Sequence, residues 1–405
     1  MDSLDCEFKK FSEDNYAVDE VQLLIEFSQF LLRSSRVQEA VEYAINALSL
    51  LQREQSVISV EQYQYFAECF YAAGDIQSTL HCFQSILEIQ PKNSEILTEA
   101  GLYSFLLNNF DSAEAYFLRA YEESKENYRA CDGLAHIYQL KNDITSMKIF
   151  GNKALLLKDE EAFSSDNLTK LSQHIGKEYK ITVEVPIFDF KKPEKNIIAF
   201  SLWGDKTEYI EGAILNATLA PVIYPGWTCR FYCDTSISVQ VIDRLKSLGS
   251  EVKVIEQKQP LFFGLFWRFF VADDPSVDRF IVRDCDCIIN CQERIAVDEW
   301  MQSGKHFHIM RDYGSHTELI HAGMWGAVKG AIPKMSDLIV NYYDNNLKER
   351  TIDQRFLRHY IWPIAKQSNL CHDNYYDFDG SKKFQTIGGF PEGLNVGISW
   401  SEFYR

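Results

Sequence analysis

Two different periods of apolar residues divide this chain. Over residues 21–155 apolar positions recur every three to four residues, the spacing of amphipathic helices. With Gly74-Asp75, Asn108-Asn109 and Asn142-Asp143 aligned, the small residues Ala67, Gly101 and Ala135 fall 34 residues apart. Thr79, Ala113 and Met147 keep that spacing, and so do Ile86, Ala120 and Ala154. Pro91 closes the first of these units, and an earlier copy at 21–52, with Ala40, Ala44 and Ala47, is set off by a five-residue insertion. A fixed period predicts an array of paired helices that meet at small residues, with Tyr63, Phe70, Phe83, Phe117 and Tyr138 filling the gaps.

From Asn196 the pattern becomes short apolar runs alternating with helical stretches. Strands are predicted at 196–205, 228–234, 251–257, 278–289 and 305–312. Helices are predicted at 207–224, 239–249, 260–273, 293–304, 333–345 and 351–366. Such alternation implies a mainly parallel sheet covered on both faces, with ligands held beyond the carboxyl ends of the strands. Four runs end in Asp205, Asp234, Asp284 and Asp312. The expected organisation is a repeat domain over 1–178 with a capping helix in 161–178, a Pro- and Lys-containing linker over 179–195, and an α/β domain over 196–405.

The 34-residue unit resembles the tetratricopeptide repeat. That resemblance implies a curved stack whose groove holds a peptide or packs on a neighbouring domain or subunit. A spacer or self-association surface is equally compatible with the repeats.

Composition narrows the function classes. The chain has 405 residues, 46% of them hydrophobic, and a net charge of −17. The apolar content excludes disorder as the main state. The negative balance argues against sequence-independent nucleic-acid binding and against docking on anionic lipid. No apolar stretch is long enough to span a membrane, and the most apolar run, 260–272, contains Arg268. The first twenty residues are acidic and broken by charges, unlike a signal or transit peptide. A cytoplasmic protein whose ten cysteines are thiols is the expectation.

The candidate chemistry lies at Asp284-Cys285-Asp286. Two carboxylates at i and i+2 at a strand end can face one cavity, where they repel unless a cation sits between them. Oxygen ligands of this kind suit Mg²⁺ or Mn²⁺, which also bridge phosphates. A solvated acidic turn is the plain alternative. The segment FWRFFVADDPSVDRFIVRDCDCIIN resembles nucleotide-sugar glycosyltransferases of the GT-A fold, in which a helix carrying an Arg precedes a strand ending in Asp-x-Asp. Arg268, Asp284 and Asp286 match those positions. HAGMWGAVKG (321–330), with Gly323 and Trp325, resembles the glycine-containing strand that walls the donor-sugar site. TIDQRFL, with Asp353 and Gln354, resembles the Asp-Gln helix start of several such families, and His372 in Cys371-His372-Asp373 sits where some place a third metal ligand. More narrowly, SLWGD, YPGW, FWRF, RDCD, HIMRD, GMWG and IWP resemble a largely uncharacterised group within those transferases.

The resemblance implies an α + α/β chain: a tetratricopeptide-like array followed by a GT-A-like, Rossmann-like domain. It implies a metal-dependent transferase that moves a sugar from a nucleotide-sugar to an acceptor protein, glycan or lipid-linked glycan. The loop of Ser201, Trp203, Gly204 and Asp205 would hold the nucleotide, with Trp203 stacked on its base and Asp234 on a ribose hydroxyl. Asp284, Asp286 and His372 would hold Mn²⁺ or Mg²⁺, Arg268 would grip the diphosphate, and Asp312 or Asp353 would act as general base. Other fates remain open: Arg268 paired with Asp273 or Asp274, Trp203 and Trp325 in the core, Cys287 as a small hydrophobe, and Asp312 and Asp353 as caps. His306, His308, His316 and His321 match no zinc spacing. Two alternative functions compete, a non-catalytic scaffold and a haloacid dehalogenase-type phosphohydrolase. The latter places its Asp-x-Asp on the first strand of the domain, followed by Thr or Val; here three strands precede it and Cys287 follows.

Overall fold

The computed structural model describes every residue except 1–2, 15–18, 177–178, 257–259, 261, 347–349, 386–394 and 398–405. The chain forms two compact units, Met1–Asp143 and Ile144–Arg405.

The first unit is helical. After Ser3–Asp14 come the antiparallel pairs Glu20–Arg33 with Val37–Arg53, Val60–Ala72 with Ile76–Ile89, and Ser94–Leu106 with Phe110–Glu123, then Tyr128–Leu140. The helices beginning at 60, 94 and 128 hold the 34-residue register. Gly74, Asn108 and Asn142 each turn the chain at positive φ, 80°, 61° and 57°. That explains the aligned residues, because Gly and Asn tolerate the left-handed turn between paired helices. Small residues admit large ones: a Cβ on Gly101 or Gly133 would lie 2.7 or 2.5 Å from the Phe117 ring. Residues 1–143 carry 10 Lys and Arg against 24 Asp and Glu, so this unit holds −14 of the −17 net charge.

The second unit starts at Ile144–Ala162, which continues the repeat register in sequence but is built into the α/β unit. Lys158 is buried and pairs with Glu318 at 2.8 Å; Glu318 also pairs with Arg358 at 2.5 Å, and Arg358 with Glu161 at 2.8 Å. Asp159 accepts from the Trp362 indole and from Lys366, both at 2.7 Å. The segment 179–195 is docked rather than loose: Val183 and Phe188 pack on the core, and the Val183 carbonyl meets the His306 ring at 2.7 Å.

The sheet comprises β1 Asn196–Leu202, β2 Thr228–Asp234, β3 Glu251–Ile255, β4 Arg279–Val282, β5 Phe307–Arg311, β6 Trp325–Val328 and β7 Asn369–Asp373. Their order is β3-β2-β1-β4-β6-β5-β7, and β6 alone runs antiparallel to its neighbours. The inner strands β1, β4, β5 and β6 are buried along their whole length, as strands covered on both faces must be. From β1 the chain winds outward to β2 and β3, then returns to place β4 on the other side of β1. The carboxyl ends of β1 and β4 therefore form the switch point where open α/β sheets bind ligands.

Two predicted elements differ, and one strand was not predicted. The strand expected over 278–289 stops at Val282, so Asp284 and Asp286 lie in the turn beyond it. Phe263–Asp273 is a 3₁₀ helix. Residues 369–373 form β7, whose mixed apolar and polar residues hid its strand character. Three strands do precede β4, the strand that leads into the Asp-x-Asp turn.

Candidate functional site

The turn after β4 is where the sheet gathers its chemistry. Gly212, in the helix Thr207–Ile223, lies so close to the Cys285 carbonyl that a Cβ would overlap it. The same helix holds the turn through Asn216, whose amide donates to the Cys287 carbonyl at 2.8 Å and accepts from the Ile289 amide at 2.9 Å. The Cys285 thiol donates to the Ser201 carbonyl at 3.2 Å, tying the turn to the end of β1. A glycine inside a helical run is the sequence signal for such an approach, although its partner was not legible.

Arg268 is the centre of the site. Its backbone N–H donates to Ser201 Oγ at 2.9 Å. Its guanidinium is buried between two carboxylates: Nη1 donates to Asp284 Oδ1, and Nη2 to Asp353 Oδ2 at 3.0 Å. Pairing with Asp273 or Asp274 does not occur. Asp273 accepts the Met335 and Ser336 amides, and Asp274 pairs with Arg230 at 2.8 Å.

The antiparallel course of β6 brings in Gly323. Val282 of β4 lies opposite Trp325 of β6, so two residues further on Asp284 meets Gly323. A Cβ there would overlap the Asp284 carboxylate. Gly323→Ala should therefore displace that carboxylate. The melting transition should fall only by the few degrees that about 1 kcal/mol of overpacking produces.

Asp286 lies on the same turn, and no Lys or Arg among the described residues pairs with it. Burial, and then the neighbouring Asp284, push its carboxyl up to about 6. Two carboxylates sharing too little positive charge fit a divalent cation in part. A hard cation of this kind takes one or two protein carboxylates and completes its shell with water and substrate phosphates. Among the described residues, no group of three or more His, Cys, Asp and Glu is gathered as a metal site.

His372 is not brought to the pair. It is buried on β7, where Nδ1 meets His308 Nε2 at 2.9 Å and Nε2 meets Glu299 at 3.2 Å, so both ring nitrogens are engaged. Its neighbour Asp373 accepts from Arg311 at 2.7 Å, both fully buried. His306 bonds Ser368 and the Val183 carbonyl, and His316 Nδ1 accepts from the Asp312 amide at 3.2 Å.

Trp325 is fully buried against Phe269 and Phe280, so it is a core residue and not a wall of an open site. Trp203 is 38% exposed, set edge-on to Trp267 with centroids 5.7 Å apart, and leans over Gly264. Asp205 is exposed beside it. Gly204 and Asp234 are joined through a residue that sequence reasoning missed: Ser236 Oγ accepts the Gly204 amide at 2.7 Å, and the Ser236 amide donates to Asp234 at 3.0 Å. The Gln354 backbone N–H donates to Asp353 Oδ1 at 2.9 Å.

The two candidate bases are both buried, Asp312 1% and Asp353 3% exposed, so neither presents a carboxylate to an acceptor. Asp353 positions Arg268. Asp312 accepts the Val396 amide at 2.8 Å and the Asn374 side chain, and thereby anchors the chain at Val396. Burial pushes its carboxyl up from 3.8 to about 6, against the Val396 and Asn374 bonds that hold it down. An acid raised in the folded state costs stability once ionised, a cost absent below pH 4 and complete above pH 6. Urea titrations should therefore show Asp312→Asn gaining about 2 kcal/mol relative to wild type between pH 4.5 and pH 7.5.

The cysteines with described side chains are all free. No described helix is long and apolar enough to cross a membrane.

No family model and no curated protein matches the chain. Among solved structures, MamA is similar over 39% of this chain and 88% of its own, with 15% identity and a TM-score of 0.34. A tetratricopeptide repeat protein from Parabacteroides merdae is similar over 38% of this chain and 62% of its own, with 20% identity and a TM-score of 0.32. An O-GlcNAc transferase mutant from Thermobaculum terrenum is similar over 65% of this chain and 45% of its own, with 13% identity and a TM-score of 0.37. Each score is too low to assign a fold to this chain.

Proposed function

We propose that the α/β unit is a divalent-cation-dependent glycosyltransferase of GT-A type, using a nucleotide-sugar donor, and that the repeat unit recruits the acceptor or a protein partner. The observation that carries this reading is the Asp284–Asp286 turn at the β1/β4 switch point, backed by Arg268 and walled by Gly323. Transfer of a glycosyl group needs the leaving diphosphate neutralised, and the site supplies carboxylates for a cation together with one guanidinium. When bound, Mn²⁺ or Mg²⁺ would act as the Lewis acid on that diphosphate.

This chain's residues would divide the remaining work. Asp284 and Asp286 hold the cation, and Arg268, aimed by Asp353 and by Ser201, meets the anionic leaving group. The half-exposed Trp203 offers an aromatic face to a base, beside the loop that Ser236 closes onto Asp234. With 24 acidic residues among its first 143, the repeat unit favours a basic acceptor segment.

A non-catalytic scaffold is favoured by one observation, the occupation of Asp284 by Arg268. A calorimetric screen of nucleotide-sugars with and without Mn²⁺ separates the two. Mn²⁺-dependent binding of one donor, followed by turnover onto a peptide or glycan library, is the expected result. Silence from every donor at millimolar concentration would leave the scaffold.

A further inference from the structure

We infer that Arg268 is the resident counter-ion of Asp284 and releases it when Asp284 and Asp286 together take a divalent cation, so that one guanidinium couples cation binding to binding of the donor's diphosphate. This rests on the reading of Asp284 and Asp286 as cation ligands.

The two carboxylates on Arg268 are unequal. The Asp353 side chain is 4% exposed and its second oxygen is held by the Gln354 amide, so it has nowhere else to go. The Asp284 side chain is 39% exposed, and its second oxygen lies against Gly323 with no hydrogen-bond donor among the described residues. Breaking the buried pair would strand a charge without water, whereas Asp284 can turn toward solvent or toward a cation beside Asp286. Arg268 itself stays in place, because its backbone N–H is tied to Ser201 Oγ at 2.9 Å and Nη2 to Asp353. Its Nε has no hydrogen-bond partner among the described residues although the side chain is only 5% exposed. The guanidinium thus carries an unused donor before release, and gains one Nη1 N–H after it, the other being directed at the Arg283 carbonyl at 3.4 Å.

The signs follow. A cation alone binds weakly, because Arg268 competes for Asp284 and repels the incoming charge. An anion alone binds weakly, because Asp284 covers Nη1. Together each removes the other's competitor: the cation takes Asp284, and the anion receives a guanidinium whose planar fork suits phosphate oxygens. Linkage makes this reciprocal, so each ligand raises the other's affinity by the same factor.

The test is calorimetry of Mn²⁺ alone, and of pyrophosphate added as its preformed Mn²⁺ complex. Three variants of the full chain are compared with wild type, and folding is checked by tryptophan fluorescence. Arg268→Met with Asp353→Asn removes the cation together with the buried carboxylate it neutralises, leaving the local net charge unchanged. Arg268→Lys, with one compact head group, keeps Asp353 and gives up Asp284. Asp286→Asn tests the cation site itself. Both Arg268 variants should bind Mn²⁺ alone about tenfold more tightly than wild type, and Mn²⁺-pyrophosphate at least tenfold more weakly. Unchanged or weaker Mn²⁺ binding in both, with Mn²⁺ binding still abolished by Asp286→Asn, overturns the coupling alone. Absence of Mn²⁺ binding in wild type and in every folded variant overturns the cation site and the coupling with it.

Discussion

Glu318→Gln should destabilise the α/β unit by about 3–5 kcal/mol, the range for a broken buried ion pair. Glu318 is the carboxylate shared by Lys158 and Arg358, which are 1% and 3% exposed. Gln keeps the shape and removes the charge, so two desolvated cations lose their common counter-ion. Lys158 comes from the helix Ile144–Ala162, so that helix should loosen first. Adding Lys158→Met should recover part of the loss, because the coupling of the pair disappears along with one stranded charge. All seven tryptophans lie beyond residue 200, so urea unfolding followed by tryptophan fluorescence reports this unit alone. A destabilisation below 1 kcal/mol would show that the network contributes no net stability.

The same network sets the acid limb. Burial pushes Glu318 up, yet Lys158 and Arg358 hold it down at about 2; burial likewise raises Glu161, while His359 and Arg358 bring it to about 2. Acids lowered by folding add stability that is fully present above their unfolded value, near 4.5, and lost as pH falls toward 2. Wild type should therefore weaken below pH 4.5, and Glu318→Gln should show a shallower acid limb.

Asp286→Asn should abolish Mn²⁺-dependent donor binding, a loss of at least about a hundredfold, while leaving the melting temperature unchanged or a few degrees higher. The two effects have one cause. Asp286 is a half-buried carboxylate beside Asp284; no cationic side chain among the described residues pairs with it, and the nearby charge of Arg268 offsets its burial only in part. Such a group is unfavourable to the empty fold and useful only to a ligand that brings positive charge, the usual opposition of stability and function at a site. Calorimetry with the donor found in the screen, and a thermal melt of the same samples, measure both. A variant that loses donor binding and also melts well below wild type would mean that Asp286 is a structural residue. A variant that binds donor and Mn²⁺ as wild type does would remove it from the site.

Much of the architecture was legible because it is written in period and turn chemistry. The 34-residue register appeared in the small residues, and the structure shows why Gly74, Asn108 and Asn142 align, since all three occupy left-handed turns. The strand and helix order from Asn196 followed from local apolar runs, and Asp284 and Asp286 followed from a strand end, although β4 stops two residues before the pair. Trp325 was misplaced because a tryptophan next to a site motif looks the same in sequence whether it faces a cavity or, as here, the core. His372 was misplaced because β7 pairs with β5 and brings it to His308 rather than to Asp286, a contact between residues 64 apart in the chain.

The chain's own residue order thus determined the repeat, the alternating strands and helices, and the acidic turn, all of which depend on neighbours within a few residues. Tertiary structure decided the rest. It placed the unit boundary at Asp143, where a helix in repeat register is captured by buried charges on the α/β unit. It also set Arg268 between Asp284 and Asp353, residues 16 and 85 positions away. Which carboxylate meets which guanidinium depends on strand order, on the reversed direction of β6 and on what burial leaves exposed. None of these is a local property of the chain.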